Sequence, residues 1–286
     1  MFPTLPRSDT LHVSLRECAP VAPDSTMPQD VYTPRPGLDA AALSDVGRQR
    51  ANNEDSYLLW EPDSDDEFLR KGRLAIVADG MGGYEGGEKA SRLAVESIRH
   101  IYDRDFSDPQ QTLVAAFTSA HNFIQRYAAE HPDLQGMGTT CTAVSIIGRQ
   151  LRFAHVGDSR LYLIRQDSIA RLTRDDSYVG RLVENGIVRA EDAESHPRRH
   201  ILTAALGSGP EITPSVPDHP LELDNGDTLL LCTDGLWSLV PEPDVLPIVQ
   251  SNAPAEACAQ LVQAALDRGG PDNITVLLLR FFLPEQ

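Results

Sequence analysis

The sequence predicts an α+β fold in which antiparallel sheets are covered on their outer faces by helices. Two observations carry this expectation. Strand-like and helix-like periods come in blocks rather than in strict alternation, and the strand blocks are joined by turns of a few residues, as in hairpins. The helical stretches are also too long to sit inside a barrel, so they must lie outside the sheets.

Taken in order, residues 1 to about 38 hold seven prolines and no sustained period. Such a stretch reads as a flexible tail or docking arm, so the chain divides into a Pro-rich N-terminal tail over 1–40 and one folded domain over 41–286. Ser56–Trp60 and Arg73–Ala78 read as strands separated by an acidic loop over Glu61–Glu67. Glu88–Tyr102 reads as a helix with Ala90, Leu93, Ala94 and Ile98 on one face. Asp108-Pro109 starts a second helix, which carries Leu113, Ala116, Phe117, Ala120, Ile124 and Tyr127 and stops at His131-Pro132. Thr139–Ile147, Gln150–Val156, Arg160–Arg165 and Ser168–Leu172 then read as a four-stranded antiparallel meander. Asp176–Gly186 is a short helix, and the polar stretch to about Gly209 is irregular. Asp227–Thr233 is a strand, Pro254–Asp267 a helix stopped by Gly269-Gly270, and Asn273–Leu283 the last strand.

Composition sets limits on function. Lys and Arg number 25 against 42 Asp and Glu, a net charge of −17 over 286 residues. That balance argues against nucleic acid or an anionic membrane surface as the main partner. Cys18, Cys141, Cys232 and Cys258 are scattered, with no Cys-x-x-Cys pair, which is a reduced-compartment pattern rather than a disulfide framework or a zinc site. No apolar run reaches the ~20 residues of a membrane span, and the N-terminus does not read as a signal peptide, so a cytoplasmic location is expected; the chain is also expected to be a monomer.

Four apolar strand-like runs border on an aspartate: Asp79, Asp158, Asp234 and Asp272. A fifth acidic spot is Glu54-Asp55. Asp-Gly is by itself a turn signal. The recurrence of an acid against a buried strand is what suggests a site, because carboxylates gathered at one point demand a cation. Carboxylates without His or Cys select hard cations, so Mg²⁺ or Mn²⁺ is favoured over zinc or copper. His155, inside a strand, reads as structural, and His196 and His200 as surface residues. An Asp shared by two such ions would hold a water between them, lower its pKa and help neutralise a phosphate under attack. Gly80, Gly82, Gly83, Gly86 and Gly87 permit close backbone approach to an ion. They do not have the spacing of a P-loop or of a dinucleotide fingerprint. Arg50, whose planar fork can take two phosphate oxygens, is either the phosphate ligand or one half of a local salt bridge, and spacing alone leaves both open.

Six stretches in order carry a resemblance: 44–55 (Ser-Asp-Val-Gly-Arg-Gln-Arg-Ala-Asn-Asn-Glu-Asp), 77–83 (Val-Ala-Asp-Gly-Met-Gly-Gly), 138–140 (Gly-Thr-Thr), 156–160 (Val-Gly-Asp-Ser-Arg), 232–236 (Cys-Thr-Asp-Gly-Leu) and 272–275 (Asp-Asn-Ile-Thr). Over about residues 41–283 the chain resembles the bacterial metal-dependent Ser/Thr protein phosphatases, the PPM or type 2C family. The resemblance implies an α-β-β-α sandwich, two packed antiparallel sheets flanked by helices. It also implies hydrolysis of phosphoserine and phosphothreonine on proteins by a water bridging two Mn²⁺ or Mg²⁺ ions, opposing a cognate Ser/Thr kinase.

In that scheme Asp79 bridges the ions and the Gly80 carbonyl binds the second. Asp234 and Asp272 complete the first ion's shell, and Glu54 and Asp55 hold metal-bound waters. Arg50 holds the substrate phosphate, and Asp158 with Asp234 binds a weaker third ion. Asn273 orients the Asp272 turn. The chain departs from many eukaryotic members at Met81, which stands where they carry a histidine and cannot donate a proton. Residues 175–206 correspond to the family's variable flap, where Arg181, Arg198 and Arg199 are candidates for substrate contact. A non-catalytic phosphoprotein-binding module, or a hydrolase of another phosphoester, are the alternatives the residues leave open.

Overall fold

The computed structural model describes residues 30–32, 34–82, 85–104, 108–193 and 196–283. The tail reading for residues 1–29, and Gly83 of the glycine stretch, lie outside these.

In chain order the elements are β1 (Asp30–Tyr32), β2 (Leu38–Asp45), β3 (Asp55–Trp60), α1 (Asp65–Lys71), β4 (Arg73–Met81), α2 (Gly86–Arg104) and α3 (Pro109–Glu130). Then follow β5 (Gly138–Thr139), β6 (Cys141–Ile147), β7 (Gln150–Val156), β8 (Arg160–Arg165), β9 (Ser168–Arg171), α4 (Tyr178–Glu184) and α5 (Ala190–Ala193). The chain closes with β10 (Leu221–Glu222), β11 (Thr228–Cys232), α6 (Asp234–Trp237), α7 (Glu242–Ser251), α8 (Pro254–Asp267) and β12 (Ile274–Phe281). One six-stranded sheet runs β1-β2-β12-β11-β8-β9; the other runs β10-β7-β6-β4-β3, with β5 on β4. Every pairing between these strands is antiparallel.

Three cores separate four layers. Leu74, Ile76, Ile98, Phe117 and Ile124 fill the space between the second sheet and α2 and α3. Leu230, Val249, Leu261, Val262 and Leu278 pack α7 and α8 on the first sheet. Val77, Val144, Leu231, Leu277 and Leu279 lie between the sheets. A central strand such as β4 is therefore buried on both faces, which explains its unbroken apolar run rather than an alternating one. The α-β-β-α sandwich expected from the resemblance is the architecture observed.

Local chemistry sets the helix ends. Asp108 caps α3, accepting from the Gln111 amide at 2.8 Å, with Pro109 at the first position. The Tyr102 hydroxyl anchors α2, bonded to the Lys71 carbonyl and the Ser145 hydroxyl, both at 2.6 Å.

The structure corrects the expected path of the chain in several places. β6 and β7 pair in one sheet while β8 and β9 pair in the other, so the four-stranded meander does not exist. The chain instead crosses between sheets at Gly157-Asp158-Ser159. Gly157 makes the crossing possible: its φ is +107°, and a Cβ there would stand 2.5 Å from the Cβ of Thr140. The end of the acidic loop starts α1, whose first turn holds Asp65, Asp66 and Glu67 and whose last turn holds Arg70 and Lys71, matching the helix dipole. α5 falls in the stretch read as irregular. β1 and the start of β2 lie inside the stretch read as tail, so the first sheet begins earlier than proline content suggests. Among the described residues no helix is long and apolar enough to cross a membrane.

Candidate metal centre

The acidic residues singled out above converge on one edge of the sandwich, and each sheet contributes some of them. Asp55 starts β3 and Asp79 lies near the end of β4, directly paired in the ladder of the second sheet. Asp234 follows β11 and Asp272 precedes β12, neighbours in the first sheet. Asp158 sits on the crossover between the two.

A set of hydroxyls stitches the sheets together beneath the carboxylates. Thr233 and Thr275, from the first sheet, donate to Asp55 Oδ2 at 2.8 and 2.6 Å, and the Thr275 amide donates to Thr233 Oγ1 at 3.0 Å. Ser44 joins Thr275 at 2.7 Å, and the Asn53 amide group donates to Ser44 at 2.8 Å. Asn273 ties three loops: its Oδ1 accepts from the Glu54 amide at 2.8 Å, and its Nδ2 donates to the Val46 and Asn52 carbonyls, both at 2.9 Å. On the other side Thr140 Oγ1 accepts from the Asp79 amide at 3.0 Å, and Trp237 Nε1 donates to the Asp158 carbonyl at 2.9 Å. Sequence reading did not assign roles to Thr233, Thr275, Thr140 or Trp237. The available signal was a run of hydroxyl residues inside otherwise apolar strands, where a buried polar group needs a partner.

Glycine at position 80 is required by packing. A Cβ there would stand 2.0 Å from the Gly87 carbonyl oxygen and 2.6 Å from that of Glu54, so β4, the start of α2 and the Glu54 loop meet at backbone distance.

The electrostatics of the cleft favour a cation. Burial, then the charges of Asp55, Asp234, Asp158 and Asp272, raise the Asp79 carboxyl well above the usual carboxylate range. Burial, then Asp234 and Asp175, does the same to Asp158. Burial pushes Asp55 up to about 7 against the two threonine bonds. Asp55 Oδ1 and Asp234 Oδ1 are buried with no hydrogen-bond partner. Buried, orphaned, all-oxygen donors fit a hard divalent ion and little else. Among the described residues no three such donors are already drawn around one point; like charges repel, and Arg50 supplies the counter-charge at the rim.

Arg50 takes the salt-bridge arrangement. Its Nη2 donates to Asp272 Oδ2 at 2.7 Å and its Nη1 lies 3.9 Å from Glu54 Oε2, with the side chain 47% exposed. Burial pulls the guanidinium down, but Asp272, Glu54 and Asp79 outweigh it and raise its pKa. His155 is buried, facing Thr142 at 2.8 Å and the Gly157 and Arg174 carbonyls at 3.0 and 3.1 Å, so it braces the crossover. His200 is on the surface as expected, yet its Nδ1 stands 3.8 Å from Asp234 Oδ2.

The raised carboxyls imply a pH dependence. A group whose folded pKa exceeds its unfolded value contributes stability below the unfolded pKa and loses it as pH rises through the folded one. With Asp55 at about 7, the Tm of chelated protein is expected to fall between pH 5 and pH 8. Mn²⁺ is expected to shrink that fall by replacing the protons. Calorimetry in EDTA and in Mn²⁺ checks this, and equal slopes in the two would contradict it.

The fold and cleft define a carboxylate site for hard cations, with an arginine at its mouth able to meet an anion. The family model described as Protein phosphatase 2C matches residues 48–268, and the chain belongs to that family of metal-dependent phosphatases. The Serine/threonine protein phosphatase PstP of Mycobacterium tuberculosis is 39% identical over 242 residues, covering 84% of this chain and 44% of PstP, so the chain spans less than half of that relative's length. The Serine/threonine phosphatase stp of Listeria innocua is 36% identical over 248 residues, 85% of this chain and 95% of stp. The crystal structure of M. tuberculosis PstP/Ppp superposes with a TM-score of 0.77 at 38% identity, over 86% of this chain and 100% of that one. The PstP catalytic domain in complex with two manganese ions matches with a TM-score of 0.74 at 36% identity, over 86% and 99%.

Proposed function

We propose that this chain hydrolyses phosphoserine and phosphothreonine on proteins, using two Mn²⁺ or Mg²⁺ ions, and opposes a Ser/Thr kinase in the cytoplasm as a monomer. The observation that carries the reading is the cleft itself: five aspartates from two sheets with orphaned buried oxygens on Asp55 and Asp234, in a chain of this family. Asp79, Asp234, Asp272 and the Gly80 carbonyl would hold the two ions, with Glu54 and Asp55 behind them, and Asp158 with Asp234 would hold a weaker third. Ions bound there supply Lewis acidity to phosphate oxygens and acidify water.

The chain's own residues do the rest. The Thr233 and Thr275 hydroxyls fix one oxygen of Asp55 and leave the other buried without a partner. Trp237 and Thr140 hold the backbone of Asp158 and Asp79 in place at the cleft. Arg50, charged and half exposed, would offer its fork to the substrate phosphate in place of Asp272. Met81 donates no proton, so the leaving oxygen is not protonated from that position.

The test is hydrolysis of an aryl phosphate and of a phosphothreonine peptide in Mn²⁺, with and without chelator. Metal-dependent turnover of both is expected. Turnover that survives chelation, or none with any divalent ion, would sink the reading. Arg50→Ala is expected to raise KM by about tenfold and lower kcat less. An unchanged KM would leave Arg50 as a salt-bridge residue only.

A further inference from the structure

We infer that the cavity between the flap and α6 is a second anion subsite. It would take an acidic or phosphorylated side chain about two to three residues from the phosphoresidue being hydrolysed. The inference rests on the phosphatase reading above and names a substrate preference for it.

The cavity encloses about 530 Å³ and is built from the end of β9, the flap helix α4 and the one-turn helix α6. Its floor is Arg160, 4% exposed, whose guanidinium lies 3.6 Å from the centre of the Trp237 ring. Arg160 donates to both carboxylate oxygens of Asp175, at 3.1 and 2.8 Å. Arg171, Arg174 and Arg199 stand at the rim. Four arginines therefore meet three acids, Asp175, Glu184 and Glu242, in a chain whose net charge is −17.

The rim pairs are weak enough to exchange. Asp175 is already held by Arg160, and Arg171 reaches the same carboxylate only at 3.4 Å. Arg174, 68% exposed, pairs with Glu184 at 2.7 Å, and an exposed pair of this kind has little net strength. A phosphate dianion offers two or three strong acceptors in place of one shared carboxylate. Within the lining itself arginines outnumber acids, which favours an anionic group over a cationic one at this mouth.

The position relative to the carboxylate cleft sets the spacing. Trp237 walls the cavity and its Nε1 holds the Asp158 carbonyl at 2.9 Å. Trp237 is three residues after Asp234 in α6, a rise of about 4.5 Å. His200, next to rim residue Arg199, lies 3.8 Å from Asp234. An extended peptide covers roughly 7–10 Å in two to three residues, enough to pass from one site to the other.

The experiment compares the Mn²⁺-loaded wild type with the Arg171→Ala/Arg174→Ala double variant, both positions lying outside the carboxylate cleft. Three substrates are used: an aryl phosphate, a singly phosphorylated threonine peptide, and that peptide carrying a second phosphothreonine two or three residues away. The wild type is expected to prefer the doubly phosphorylated peptide. The double variant is expected to lose about tenfold in kcat/KM on that peptide, through KM, and less than about twofold on the other two. A wild type without preference, a preference unchanged in the variant, or an equal fall on all three substrates would overturn the subsite. If the wild type turns over no aryl phosphate, the phosphatase reading falls, and fluorescence anisotropy then decides the subsite. Weaker binding of the doubly phosphorylated peptide by the variant supports it, and equal binding overturns it.

Discussion

Asp79→Asn is expected to reduce turnover by about 10³-fold or more while leaving the metal-free protein at least as stable as the wild type. The two effects have one cause. Asp79 faces the charges of Asp55, Asp234, Asp158 and Asp272, and a partly buried carboxylate among like charges raises the free energy of the folded state at neutral pH. An amide removes that repulsion, and with it one anionic donor to a cation bound in the cleft. Steady-state assays in Mn²⁺ and thermal unfolding in EDTA measure the two effects separately. Wild-type-like turnover would remove Asp79 from the centre. A Tm in EDTA several degrees below wild type would mean that the carboxylate is a structural support rather than a ligand held under repulsion.

Gly80→Ala is expected to destabilise the fold by about 3 kcal/mol, at the upper end for overpacking, because the added methyl meets backbone and not a side chain that can turn aside. The contacts would be 2.0 Å to the Gly87 carbonyl oxygen and 2.6 Å to that of Glu54. Relief requires β4 to separate from α2 or from the Glu54 loop. Either movement displaces Asp79 or Glu54, so the surviving folded fraction should also bind Mn²⁺ more weakly. Urea unfolding and Mn²⁺ titration followed by calorimetry check both, and a variant within about 0.5 kcal/mol of wild type would show that the junction is looser than its distances imply.

What could be read from the sequence, and what could not, follows from how far each signal reaches. β4, β6, β7, α2, α3 and α8 were legible because their periods and caps are local: Asp108-Pro109 starts α3, and Gly269-Gly270 follows α8. α7 has no counterpart in the sequence reading; it carries Pro247 in its interior and is held by Val245 and Val249 in the core. The division of β6–β9 between two sheets was not legible, because a tight turn within a sheet and a crossover between sheets use the same residues; only packing separates them. In the cleft, Asp79, Asp158, Asp234 and Asp272 were legible because each borders an apolar strand, and Glu54-Asp55 as an acidic pair. The hydroxyls under them, and the partner of Arg50, depend on contacts between residues some 40 to 220 positions apart, such as Thr233 and Thr275 with Asp55. No spacing rule reaches that far.

The hydroxyl stitching beneath Asp55 has a mechanical consequence. Because Asp55 and Asp79 ride on one sheet and Asp234 and Asp272 on the other, the gap between the two pairs is a gauge of how the sheets are seated face to face. The layer that sets the seating is the inter-sheet core of Val77, Val144, Leu231 and Leu277. A cavity cut into that layer, far from any charge, should alter how tightly the jaws grip an ion before it noticeably loosens the outer helices. Cation affinity in this protein would then serve as a sensitive internal strain gauge for its own hydrophobic packing.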